Sequence, residues 1–140
     1  MTTTAPEPTI TLETPADRLR ERARTMPDGV ALRVKNRGIW REVGWADYWD
    51  NASAFANALL AAGLEPGDRV AIHSENRPEW LYTDVGTVAV RGISMGLYPT
   101  NPAAEVEYLL QNSGSRILVV EDQEQADKTL SIPAERLPEL

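Results

Sequence analysis

GDRVAIHSENRPEW (Gly67–Trp80) and GISMGLYPTNPAAEVEYLLQNSGSRILVVEDQEQADK (Gly92–Lys128) hold three short apolar runs, headed by Val70, Ile93 and Ile117. These positions are 23 and 24 residues apart, and each interval carries a helical pattern. Parallel neighbours need a crossover of a dozen or more residues, usually a helix. The stretch therefore predicts an α/β fold with a parallel sheet built from βαβαβ units. The first crossover runs from Pro78 to Arg91, with Trp80, Leu81, Val85, Val88 and Ala89 as core candidates. The second runs from Pro102 to Asn112, with Val106, Leu109 and Leu110 facing inward and Ser113-Gly114 ending it. A last helix is expected over Gln123–Leu130, after which Pro133 and Pro138 interrupt the pattern.

Working back toward the N-terminus, Trp45–Ala62 is the clearest helix. Tyr48, Trp49, Ala52, Phe55, Ala56, Leu59 and Leu60 recur at three- and four-residue steps, and Gly63 supplies a left-handed stop. Ala31–Val34 and Ile39–Val43 read as a hairpin around Lys35-Asn36-Arg37-Gly38. Thr14-Pro15-Ala16-Asp17 has the form of a capped helix start. That helix carries Leu19, Ala23 and Met26 on one face and ends at Pro27-Asp28-Gly29. Residues 1–13, rich in Thr and Pro, are expected to form an extended arm. Residues 14–140 are expected to be an incomplete N-terminal α/β subdomain, because the final helix lacks a strand to return to.

Composition narrows the functions. Apolar residues make up 42% of the 140, charged residues 25%, and the formal net charge is −7. Nucleic-acid binding draws on a basic face that displaces counterions, so no nucleic-acid partner is expected. There are no cysteines, which removes disulfides, thiolate metal sites and Cys nucleophiles and fits a reducing compartment. No run approaches the roughly 18 apolar residues of a membrane span, and the first residues lack the basic start and apolar block of a signal peptide. A cytoplasmic location is the default expectation, with membrane association as an alternative. A homodimer is admitted, with the arm as one means of forming it.

Three pieces carry a family resemblance. They are Gly67–Ile72 followed by Ser74–Trp80; Gly96-Leu97-Tyr98-Pro99-Thr100-Asn101 followed by Glu105–Tyr108; and Val120–Gln125 closed by Asp127-Lys128. In that order, and with Trp45–Trp49 upstream, they resemble the N-terminal part of AMP-forming long-chain fatty acyl-CoA synthetases of the adenylate-forming superfamily. The resemblance implies a ligase that uses fatty acid, ATP with Mg, and CoA. Its product is acyl-CoA, with AMP and pyrophosphate released, by way of an acyl-adenylate. It also implies a large N-terminal domain of layered α/β subdomains. The family's Ser/Thr/Gly-rich phosphate loop, adenine motif and catalytic lysine have no counterpart in this sequence. The segment alone is therefore expected to be scaffold, inactive and without bound cofactor. A smaller departure is Gly44, where the family usually has a Thr or Ser helix cap. Alternatives are a fatty acyl-AMP ligase fragment or a non-catalytic acyl-binding or docking module. A dinucleotide-binding domain is disfavoured because HSENRP, not a glycine-rich turn, follows the first strand.

No catalytic or metal-binding residue is assigned. Candidates for a loop near substrate or CoA are Tyr98, Thr100, Asn101, His73 and Asn76, all at expected carboxyl ends of strands, where open α/β sheets collect ligands. Each has a structural alternative. His73 would be a hydrogen-bonded strand-end residue; Ser74 or Asn76 would cap the first crossover helix, and Thr100 or Asn101 the second. Trp40, Trp45, Trp49 and Trp80 read as packing residues, and Glu121–Glu124 as acids at a helix start rather than a cation loop.

Overall fold

The computed structural model describes residues 13–140, so the arm expected over residues 1–13 lies, except for Glu13, outside the described residues. Helix α1 (Pro15–Thr25) opens on a capping box: Asp17 N–H donates to Thr14 Oγ1 at 3.2 Å, and Thr14 N–H donates to Asp17 Oδ2 at 3.1 Å. Ala16 and Leu19 form its buried stripe. Met26 is exposed beyond the last turn, so the expected apolar face ends earlier.

Strands β1 (Val30–Asn36) and β2 (Ile39–Gly44) pair antiparallel, with Lys35 opposite Trp40 and Asn36 opposite Ile39. The turn is two residues long, not four. Arg37 (φ 50°) and Gly38 (φ 81°) are both left-handed, the conformation whose twist matches the flanking strands. Helix α2 (Trp45–Ala61) begins without a side-chain cap. Instead Trp45 N–H donates to Gly29 O (3.0 Å) and Ala46 N–H to Pro27 O (3.1 Å). A Cβ on Gly44 would stand 3.0 Å from that Pro27 oxygen. The glycine makes room for a backbone cap where a Thr or Ser side chain was expected.

Three parallel strands follow, β3 (Arg69–His73), β4 (Ile93–Leu97) and β5 (Ser115–Val120), in the order β4-β3-β5. The connecting helices are α3 (Pro78–Ala89) and α4 (Ala103–Ser113), and α5 (Gln123–Leu130) comes last. The parallel sheet and its crossovers are therefore as the residue pattern predicts. Alternation along β3 splits the core between its two faces. Val70 packs with Leu59, Leu64, Ile117 and Val119 on the α2 side. Ala71 packs with Leu97, Val106 and Leu110 on the α4 side, where Ile132 and Leu137 complete the cluster.

The α2–α3 contact differs from expectation. Ala89 and Leu60 are exposed, while Thr83, Gly86 and Thr87 are buried. Thr83 and Thr87 tolerate burial because their hydroxyls donate to Glu79 O (2.8 Å) and Thr83 O (2.7 Å) within the helix. A Cβ on Gly86 would meet Ala52 O at 2.7 Å, so this glycine sets how closely the two helices approach. At the amino end of the sheet, Arg69 donates to Ser113 O (2.8 Å) and Gly114 O (2.7 Å), satisfying carbonyls at the end of α4.

Candidate functional site

Because β4 and β5 flank β3 on opposite sides, the chain reverses its winding direction at β3. In such sheets the crevice beyond the carboxyl ends of the strands is the usual ligand position. Here that crevice lies between β3 and β5, where Phe55, Ile72, Trp80, Thr83, Val119 and Glu121 help enclose about 170 Å³. The chain's own loops are bonded to one another at its mouth. Glu121, directly after β5, turns its carboxylate onto the loop after β3. Glu75 N–H donates to Oε2 at 2.5 Å, Ser74 Oγ lies 3.2 Å from the same oxygen, and Arg77 Nη1 is 3.3 Å from Oε1.

Arg77 also holds Glu79 at 2.8 Å. That hydrogen bond keeps the Glu79 carboxyl below the usual carboxylate range and raises the guanidinium further. The Arg77 guanidinium and the Glu75 N–H at this crevice are thus already taken by carboxylates of the chain itself. Among the described residues, no group of three His, Cys, Asp or Glu side chains gathers in one place.

The five candidate residues do not form one site. His73 is fully buried at the end of β3, and neither ring nitrogen has a partner of hydrogen-bond geometry. Burial lowers its pKa below 6.5, the neighbouring Lys128 ammonium lowers it further, and the nearby backbone of Tyr98 and Pro99 opposes the shift. Lys128 Nζ donates to Pro99 O (2.8 Å) and Gln125 Oε1 (3.0 Å), tying the loop after β4 to α5. Tyr98 and Thr100 on that loop are exposed and Asn101 is half-buried. Neither Thr100 nor Asn101 caps α4, because Pro102 takes the cap position. Asn76 is exposed on a different surface, in a cleft shared with β1 and β2. It does not cap α3 either; Arg77 stands at that position with no side-chain cap bond.

Residue patterns give Glu121, Arg77 and Lys128 no role at this site; Glu121 reads there as an acid at a helix start. Asp122 does cap α5, accepting from Gln125 N–H at 3.2 Å. Its neighbour Glu121 reaches instead across to residues more than forty positions away, and no local periodicity signals such a bond.

The chain matches known proteins in sequence and fold. The family model for AMP-binding enzymes matches residues 19–139. The chain belongs to the AMP-binding enzyme family. It is 34% identical over 113 residues to the long-chain-fatty-acid–CoA ligase ACSBG2 of Xenopus laevis, covering 81% of this chain and 15% of that protein. The anthranilate CoA ligase AuaEII, solved in complex with anthranoyl-AMP, superposes with a TM-score of 0.80 at 26% identity over 89% of this chain and 23% of that one. The Mycobacterium tuberculosis fatty acyl CoA synthetase shares the fold, with a TM-score of 0.78 at 23% identity over 89% of this chain and 25% of that one. The chain thus spans about 15% of the length of the curated relatives it matches.

Proposed function

We propose that this chain is the N-terminal scaffold portion of a long-chain fatty acid–CoA ligase, forming an incomplete α/β subdomain of its AMP-binding domain. The parent would convert fatty acid, ATP and CoA to acyl-CoA, AMP and pyrophosphate in the cytoplasm, with magnesium accompanying ATP. The observation that carries the reading is the 34% identity to a long-chain-fatty-acid–CoA ligase over 81% of the chain. The geometry supports the scaffold role. The crevice that would receive a ligand is clasped by Glu121, and the donors around it are used internally. Tyr98, Thr100 and Asn101 remain exposed enough to line a passage for substrate or CoA, formed with other parts of the parent.

The test is fatty-acid-dependent ATP–pyrophosphate exchange. The purified 140 residues should stay at background, whereas a polypeptide that adds the family's phosphate loop and catalytic lysine should exchange and form acyl-CoA. Exchange by the 140 residues alone would falsify the scaffold role. A parent that released only acyl-AMP would be an acyl-AMP ligase instead.

A further inference from the structure

The β1–β2 hairpin differs in charge from the rest of the chain. Val30–Gly44 carries Arg33, Lys35, Arg37 and Arg41 against a single acid, Glu42, in a protein whose formal net charge is −7. Arg33 and Glu42 pair across the strands at 3.0 Å, which leaves the cations nearest the turn, Lys35, Arg37 and Arg41, unmatched within the hairpin. All three are exposed. Between them stand two large apolar side chains, Ile39 (65% exposed) and Trp40 (63% exposed). Being consecutive on a strand, they point to opposite faces of the ribbon. A flat partner covers one of them, whereas a tip that enters an apolar medium end-on buries both.

We propose that this tip is a docking element for an anionic lipid bilayer surface. An exposed Trp ringed by cations suits the headgroup boundary, where the indole ring sits and Lys and Arg meet anionic lipids. Each cation near such a surface raises partitioning by about fivefold. The overall negative charge does not cancel this attraction. The acids at the hairpin's other end, Asp28 and Asp47 beside Val30 and Gly44, lie about 20 Å along the strands from the turn. That exceeds two screening lengths of about 8 Å at physiological salt. Glu79, next to Pro78 of the neighbouring cleft wall, is already paired with Arg77.

The 140-residue chain, mixed with vesicles of phosphatidylcholine and about one-third phosphatidylglycerol, should sediment with them but not with pure phosphatidylcholine vesicles. Brominated acyl chains should quench part of its tryptophan fluorescence. Trp40→Phe should still sediment and lose that quenching. The triple reversal K35E/R37E/R41E, and separately I39S/W40S, should lower binding at least tenfold with unchanged circular dichroism. Equal binding to neutral vesicles, indifference to charge reversal, or quenching that survives Trp40→Phe would each overturn the proposal. A wild-type chain left in the supernatant would overturn it too, and would mean that protein, not lipid, covers the tip. Binding requires no ATP, fatty acid or CoA, so its failure leaves the ligase reading untouched.

Discussion

Glu121 and His73 sit at the same end of the sheet and illustrate opposite solutions to burying polarity. Glu121 meets a backbone N–H, a hydroxyl and a guanidinium, and hydrogen bonds to an ionised group are among the stronger ones. Replacing it with Ala should cost about 1–2 kcal/mol of stability, measured by urea unfolding, and should loosen the loop after β3, measured by amide exchange at Glu75. His73 has no such partners. Its folded pKa lies below 6.5 because burial, and then Lys128, disfavour the charged ring, so the unfolded chain takes up the proton first. Stability should therefore be undiminished by this group above pH 6.5 and fall as pH drops below it. As this is the single histidine, His73→Leu should flatten urea midpoints between pH 7.5 and 5.5 without lowering the value at pH 7.5. A mutant that kept the full slope would sink this account.

Among the elements, the α2–α3 pair shows how contact geometry overrides residue class. Periodicity correctly set both helices, yet it assigned Ala89 and Leu60 to the core and passed over Gly86. A methyl at Gly86 has to displace the α2 backbone at Ala52. Gly86→Ala should therefore destabilise by about 1–3 kcal/mol, despite the higher helix propensity of Ala; thermal or urea unfolding checks the sign. The hairpin teaches the same lesson from the other side. Its strands were legible from alternation and β-branched residues, but the turn was placed two residues too wide. Arg37 adopts the left-handed conformation usually reserved for Asn or Gly, and nothing in its chemistry announces that.

For the whole molecule, the parallel sheet has only three strands among the described residues, with β4 and β5 at its edges. Ile93 at the start of β4 is exposed, as are Leu60, Tyr108 and Leu130 on the helices. Unpaired strand edges and exposed apolar side chains favour association. The isolated chain should bind an apolar dye and shift to larger species with rising concentration by analytical ultracentrifugation. A dye-silent monomer at all concentrations would contradict this. No helix among the described residues is long and apolar enough to cross a membrane.

The order of residues was enough to specify the helices, the parallel strands and the family, because periodicity, caps and turn residues act over a few positions, and the motifs lie in contiguous runs. It could not specify which neighbour each strand takes, that Gly86 is a contact surface, or that Pro27 and Gly29 cap α2 in place of a side chain at Gly44. Nor could it show that Glu121 ties the loops after β3 and β5 together while His73 lies buried without a partner. Those outcomes depend on groups far apart in the chain being brought within about 3–4 Å, and hydrogen-bond and contact energies fall steeply beyond such distances. Tertiary structure alone turned a helix-start acid into the clasp of the candidate site.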